Sequence, residues 1–214
     1  MTDCIHATVE ERYLVAGNTS DLSVSPDRKT AADLMIAAGW SPSRLGAAAL
    51  RLHSEWAAAA LPRRPGREQI ARVARDLPLL NGKPDLAHAN RVALHWHQVE
   101  LRRVFDRLHS LPAVRDQLAV QALQRGMSGP AALAAAVLCH WLDPVCPSCH
   151  GLKFMQVKGA PALSAKVCPA CRGLGRTDPP QGQDGRWLLN YLDRCVAVAR
   201  GSISKRLHAV PKMV

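Results

Sequence analysis

The sequence predicts a mainly α-helical protein: a compact helical body with a helix-turn-helix-like segment and an inserted Cys4 module that folds around a metal ion. Composition carries part of this. Apolar residues make up 48% of the 214, supplied mostly by alanine and leucine, while aromatics are 4%, a balance that favours helix over sheet. Periodicity carries more, because apolar residues recur at helical spacing between proline and glycine signals. The third observation is two tight cysteine pairs, Cys146–Pro147–Ser148–Cys149 and Cys168–Pro169–Ala170–Cys171, with eighteen residues between them. These features divide the chain into an N-terminal arm (1–24), a helical body (25–145), the cysteine module (146–177) and a C-terminal helical segment (178–214) that packs on the body.

Residues 1–24 are weakly patterned apart from Tyr13–Leu14–Val15, and read as a flexible or loosely attached arm. Ser25–Pro26–Asp27 has the form of a helix start, with a capping hydroxyl, proline in the first turn and an acid at the positive end of the dipole. That helix should stop at Gly39. A second start, Trp40–Ser41–Pro42–Ser43–Arg44, opens an Ala/Leu helix to about residue 60. Helix, glycine turn and helix over 30–52 give the layout of a helix-turn-helix, with Ser41, Ser43 and Arg44 at the start of the would-be recognition helix, or of an ordinary αα-hairpin.

Residues 61–67 form a basic loop with two prolines, and a helix follows over 67–76. Across 85–109, Leu94, Leu101 and Leu108 recur every seven residues, with Val104 and Phe105 between them, which predicts a long amphipathic helix. His88, His95, His97 and His109 on it show no HExxH spacing and read as surface or packing residues. Two more helices, 112–124 and 131–142, flank Gly126 and Gly129. The second is almost wholly Ala, Leu and Val, so it belongs to the core and delivers the chain to Cys146.

The cysteine spacing is that of one tetrahedral Zn2+ site with Cys146, Cys149, Cys168 and Cys171 as ligands, because two intervening residues let both sulfurs of a pair face one ion. A pair of disulfides is the competing reading, but tandem Cys-x2-Cys units suit metal ligation better. Four thiolates leave no open coordination position, so the zinc is structural. Between the pairs, Phe154, Met155 and Val157 should pair with Leu163 and Val167 as a short hairpin, although the composition also allows a loop. Asp178–Gly185 reads as a linker. From Arg186 a stripe of Leu188, Tyr191, Leu192, Cys195 and Val198/Ala199 predicts a final helix, broken at Gly201–Ser202. The remaining cysteines, Cys139 and Cys195, sit in apolar surroundings and read as core thiols; Cys4 is uninformative.

The formal net charge is +11, from 28 Lys and Arg against 17 acids, and such an excess points to a polyanionic partner, most simply nucleic acid. From Cys146 to Arg176 the basic residues are Lys153, Lys158, Lys166, Arg172 and Arg176, without one acid. Together with Arg44, Lys205 and Arg206 they are the candidate DNA contacts, and Arg44 suits a guanine edge. No secretory signal opens the chain, and the longest apolar run, 131–139, is too short to span a bilayer. An odd cysteine count beside a thiolate site suits a reducing cytoplasm. No nucleophile–base ordering, phosphate loop or paired carboxylates suggest an enzyme.

The residues so laid out resemble the antitermination protein Q family of lambdoid phages, of the zinc-containing type. The likeness rests on Thr30–Gly39, on an alanine-rich helix running into Cys146-x2-Cys149–His150–Gly151, and on Cys168-x2-Cys171-x-Gly173-x-Gly175 before a C-terminal helical segment. It implies a mostly helical, zinc-containing DNA-binding protein of the bacterial host cytoplasm. Such a protein binds promoter-proximal double-stranded DNA, loads onto host RNA polymerase and lets it read through pauses and terminators. One departure is Lys153, which stands where the repeated knuckle pattern has its second glycine. The knuckles also resemble those of DnaJ-type chaperones, which leaves a protein-binding zinc adaptor as the alternative.

Overall fold

In a computed structural model the described residues are 8–21, 23–24, 30–79, 84–149, 151–156 and 163–208. They form helices α1 (Val9–Asn18), α2 (Ala31–Gly39), α3 (Arg44–Ala58), α4 (Arg67–Asp76), α5 (Leu86–Phe105), α6 (Leu111–Gln124) and α7 (Pro130–Leu142), a two-stranded sheet β1 (Phe154–Gln156) and β2 (Leu163–Val167), and α8 (Gly182–His208). Local chemistry sets most of the starts. Ser43 accepts a hydrogen bond from the Gly46 N–H, and Asp85 accepts one from the His88 N–H, each satisfying a donor that a helix N-terminus leaves unpaired.

The described residues of the segment expected as an arm include α1. Thr8 and Glu11 form a reciprocal capping box at its start, and Tyr13 and Ala16 are buried in the main core. Burial of an aromatic ring holds this helix to the body, where sequence patterning alone suggests looseness. The expected start at Ser25–Pro26–Asp27 lies outside the described residues. As described, α2 begins at Ala31, where the Asp33 carboxylate accepts from both the N–H and the hydroxyl of Thr30 at 2.8 and 3.1 Å.

Two helices organise the body. α3 packs against α1, α6 and α8, while α8 packs against α2, α3 and α7 and also touches α1 and α6. Leu45, Ala49, Leu50, Leu52 and Trp56 of α3 are buried, as are Leu188, Leu192, Val196, Ala199, Ile203 and Leu207 of α8. The C-terminal segment is therefore part of the body's centre. α8 starts at Gly182, inside the expected linker, with Asp184 in its first turn, where the helix dipole favours an acid. It also runs through the expected break at Gly201–Ser202. The buried stripe runs from Val196 and Ala199 before those residues to Ile203 and Leu207 after them, and packing along it overrides one unfavourable glycine. The stripe is rotated from the expected one: Val196 is buried and Val198 is exposed.

Side chains fasten these elements. The Glu55 carboxylate accepts from the N–H and hydroxyl of Ser110 at 2.9 and 2.7 Å, tying α3 to the start of α6. The Trp141 indole N–H donates to Asp193 at 3.0 Å across α7 and α8, and Trp56 stacks on Phe105 with ring centroids 4.9 Å apart. α4 and the first half of α5 form a hairpin with a small core of their own, Val73, Ala74, Ala89 and Ala93. The seven-residue stripe of α5 is consequently only half used: Leu101, Val104 and Phe105 meet the main core while Leu94 is exposed. Cys139, expected in the core, is exposed, and Cys195 is half-buried. No helix among the described residues is long and apolar enough to cross a membrane.

Candidate metal centre

The four cysteines expected as ligands come together. Their Sγ atoms lie within 4.8 Å of one another and all four residues are buried, so the cluster can hold one metal ion among thiol donors. The surrounding backbone is built twice, in a near-repeat that relates Cys146 to Cys168, Cys149 to Cys171 and Lys153 to Gly175. The Leu152 N–H donates to the Cys149 carbonyl and the Leu174 N–H to the Cys171 carbonyl, both at 2.9 Å. Each unit then reaches across to the other: the Cys146 N–H donates to the Gly175 carbonyl and the Cys168 N–H to the Lys153 carbonyl, again at 2.9 Å. The antiparallel strands pair Phe154 with Val167 and Gln156 with Leu163, as the hairpin expectation required. Val157 lies outside the described residues.

Electrostatics suit an anionic sulfur cluster. The Gly175 N–H points at the Cys171 sulfur at 3.2 Å. Burial opposes ionisation of Cys171, yet this donor and the neighbouring Cys149, Cys168 and Cys146 sulfurs together bring its thiol down to about 7. Burial and the shared sulfurs push Cys149 the other way, to about 11, against N–H donors from Lys153 and Gly151. A bound metal displaces the protons that remain, so metal affinity falls as the pH is lowered.

The near-repeat explains the departure at Lys153. Its φ is +68°, the conformation that Gly175 adopts at +76°; the lysine takes up the glycine geometry with its side chain in solvent. Gly175 has no such latitude, since a Cβ there would lie 2.9 Å from the Gly151 carbonyl oxygen. Gly175→Ala is expected to weaken metal binding by about 1–3 kcal/mol, the cost of a strained, crowded site. Lys153→Gly should change it by no more than about 1 kcal/mol. Chelator competition for Zn2+ measures both, and equal losses would show that the two positions are not distinguished by crowding.

The module is an excursion between α7 and α8 whose two ends are clasped together. Val145 bridges Arg176, the Thr177 N–H donates to the Pro144 carbonyl at 2.9 Å, and the Thr177 hydroxyl lies 3.1 Å from His140 Nδ1.

The expected basic residues fall into two groups. Lys153, Lys166, Arg172 and Arg176 are exposed on the module; Lys158 lies outside the described residues. Arg172 approaches Asp178 at 3.9 Å, with both side chains mostly in solvent, a contact worth little. Arg44, Lys205 and Arg206 stand elsewhere, on the first turn of α3 and the last turns of α8, along adjoining grooves lined by α8 and by the start of α3 or the turn before it. The segment expected to be helix-turn-helix-like comprises α2, a four-residue turn and α3. Because α3 is enclosed by α1, α6 and α8, it offers solvent little beyond Arg44 in its first turn and the outward side of Arg51, His53, Ala57 and Ala58. Arg194, first of the acid-free basic run that follows Asp193, lines the same groove as Arg44.

No protein family, characterised protein or solved structure was found to match this chain.

Proposed function

We propose that this chain is a DNA-binding transcription factor of the antiterminator kind, acting in a bacterial host cell on promoter-proximal double-stranded DNA and host RNA polymerase. In this reading a structural Zn2+ on Cys146, Cys149, Cys168 and Cys171 shapes the DNA-contacting module. The observation that carries it is the one-signed charge of the module, where Lys153, Lys166, Arg172 and Arg176 are all exposed on a scaffold held by four buried cysteines. A rigid, uniformly positive lobe suits phosphate contact, and phosphate contacts position a protein on a duplex. The antiterminator part rests on the resemblance of the two knuckles and their helical flanks to the phage Q family. Arg44, Lys205 and Arg206, also expected at DNA, border an apolar groove, a setting that phosphate contact does not need.

The test is the salt dependence of duplex binding by the metal-loaded protein. Replacing Lys153, Lys166 and Arg176 together by glutamine should lower the log–log salt slope by about 2.7, roughly 0.9 for each phosphate left without its cation. An unchanged slope removes the module from the interface. A terminator-readthrough assay with host polymerase then decides the antiterminator assignment: no gain in readthrough on any template bearing the selected DNA site would reject it.

A further inference from the structure

Three features of this chain work against its stability without a local structural reason, and all three meet on one surface. Gly201 lies inside α8, where glycine is destabilising relative to alanine. Nothing stands within 4 Å of where its Cβ would be, so close packing does not require it. Arg44 occupies the first turn of α3, which holds no acid, at the end of the dipole that disfavours a cation. Trp40, in the turn before α3, is 70% exposed. Such breaches of local preference concentrate where function has been placed above stability.

The surface is a pair of adjoining grooves between the turn before α3 and the C-terminal half of α8, one of about 550 Å³ and one of about 590 Å³, which share Pro42 and Val198. Their floor is apolar, with Leu45, Ala197 and Val198, and Gly201 leaves a notch in it. Val198 is 52% exposed although it sits on the protein's central helix. Arg44, Arg194, Lys205 and Arg206 border the grooves, and among the described residues no carboxylate lines them. Arg206 also lies 6.0 Å over the Trp40 ring and donates to the Trp40 carbonyl at 3.5 Å, which places the indole beside the rim.

We propose that this groove is a docking site for an acidic amphipathic helix of a partner protein, whose apolar face covers Pro42, Val198 and the Gly201 notch while its carboxylates meet Arg44, Arg194, Lys205 and Arg206. An apolar floor within a basic rim matches that occupant in both shape and charge. A phosphate backbone would use the rim and leave the floor without a role. The site does not rest on the DNA reading of the zinc module: it uses none of that module's residues, and loss of duplex binding there leaves it standing.

The test is selection from a displayed library of random peptides of about fifteen residues, roughly four helical turns, against the folded, metal-loaded protein at about 0.15 M salt. Selected peptides should carry apolar residues at helical spacing flanked by Asp or Glu. Two variants then probe rim and floor separately. Arg194→Glu with Lys205→Glu should weaken the selected peptides by roughly tenfold or more, and Gly201→Leu by a similar factor although it replaces glycine with a better helix former. Circular dichroism and thermal melting verify that both variants stay folded. Absence of acidic amphipathic sequences among the selected peptides overturns the proposal. Affinity that survives Gly201→Leu overturns it too, since the attraction is then charge alone. Displacement of the peptides by a short mixed-sequence duplex that itself fails to bind the Arg194→Glu/Lys205→Glu variant reassigns the groove to nucleic acid.

Discussion

Removing bound metal from this chain is expected to unfold the described residues of the cysteine module and leave the helical body standing. Among its described residues the module has almost no apolar core to fall back on: the buried cluster is the four cysteines themselves with Met155 packed against them, while Phe154 and Val167 of the strands are exposed. A two-stranded ribbon of this size is marginal on its own. Structural zinc in small modules contributes on the order of 10–16 kcal/mol of folding free energy, and nothing else in the segment approaches that. The body is different. Its core runs from Tyr13 through Trp56, Leu118 and Leu138 to Leu207 without using a module residue. Amide hydrogen exchange with and without chelator should therefore show protection lost across β1, β2 and both knuckles and kept in α3 and α8. Cys168→Ser should reproduce the chelated pattern. A module that keeps its protection without metal would mean that the cysteines are held by something other than a shared ion; collapse of α8 along with it would mean that the clasp at Val145 and Arg176 is needed by the body.

Much of this arrangement is legible in the sequence because local chemistry and tertiary packing agree. The Cys-x2-Cys spacing places two sulfurs on one side of a tight turn whatever surrounds it, so the gathering of the four cysteines follows from the sequence alone. α4 also matches its expected bounds, and α3 starts at Arg44, within the expected start signal Trp40–Arg44. The failures arise where long-range packing decides. Nothing local shows that α5 divides its faces between α4 and the main core, so its seven-residue stripe does not reveal that Leu94 is left outside. α1 is recoverable: Thr8–Val9–Glu10–Glu11 has the Ser/Thr-x-x-Glu form of a capping box, but with few apolar residues behind it the segment reads as loose until Tyr13 finds its pocket. Gly201 illustrates the reverse case, a correct local signal for a helix break that the buried stripe on either side overrides.

Gly46 marks a position where a single methyl group should do severe harm at the centre of the body. It lies on α3 at the crossing with α8, and a Cβ there would stand 1.9 Å from the Cys195 carbonyl oxygen. The atom in the way belongs to backbone, so no rotamer change relieves the overlap and the two central helices must move apart. Gly46→Ala is accordingly expected to cost about 3 kcal/mol or more, at or beyond the upper end of ordinary overpacking, despite alanine's better helix propensity, worth about 1 kcal/mol in the opposite direction. Gly201→Ala is the matched control: the same exchange, in α8, at a position with open space around it. It should stabilise by about 0.5–1 kcal/mol. Denaturant unfolding of the two variants beside the parent measures the contrast directly. Opposite signs would establish the α3–α8 crossing as a close-packed joint of the body, and would show that Gly201 is kept for something other than folding. Like signs would mean that α3 and α8 do not approach at Gly46 as described.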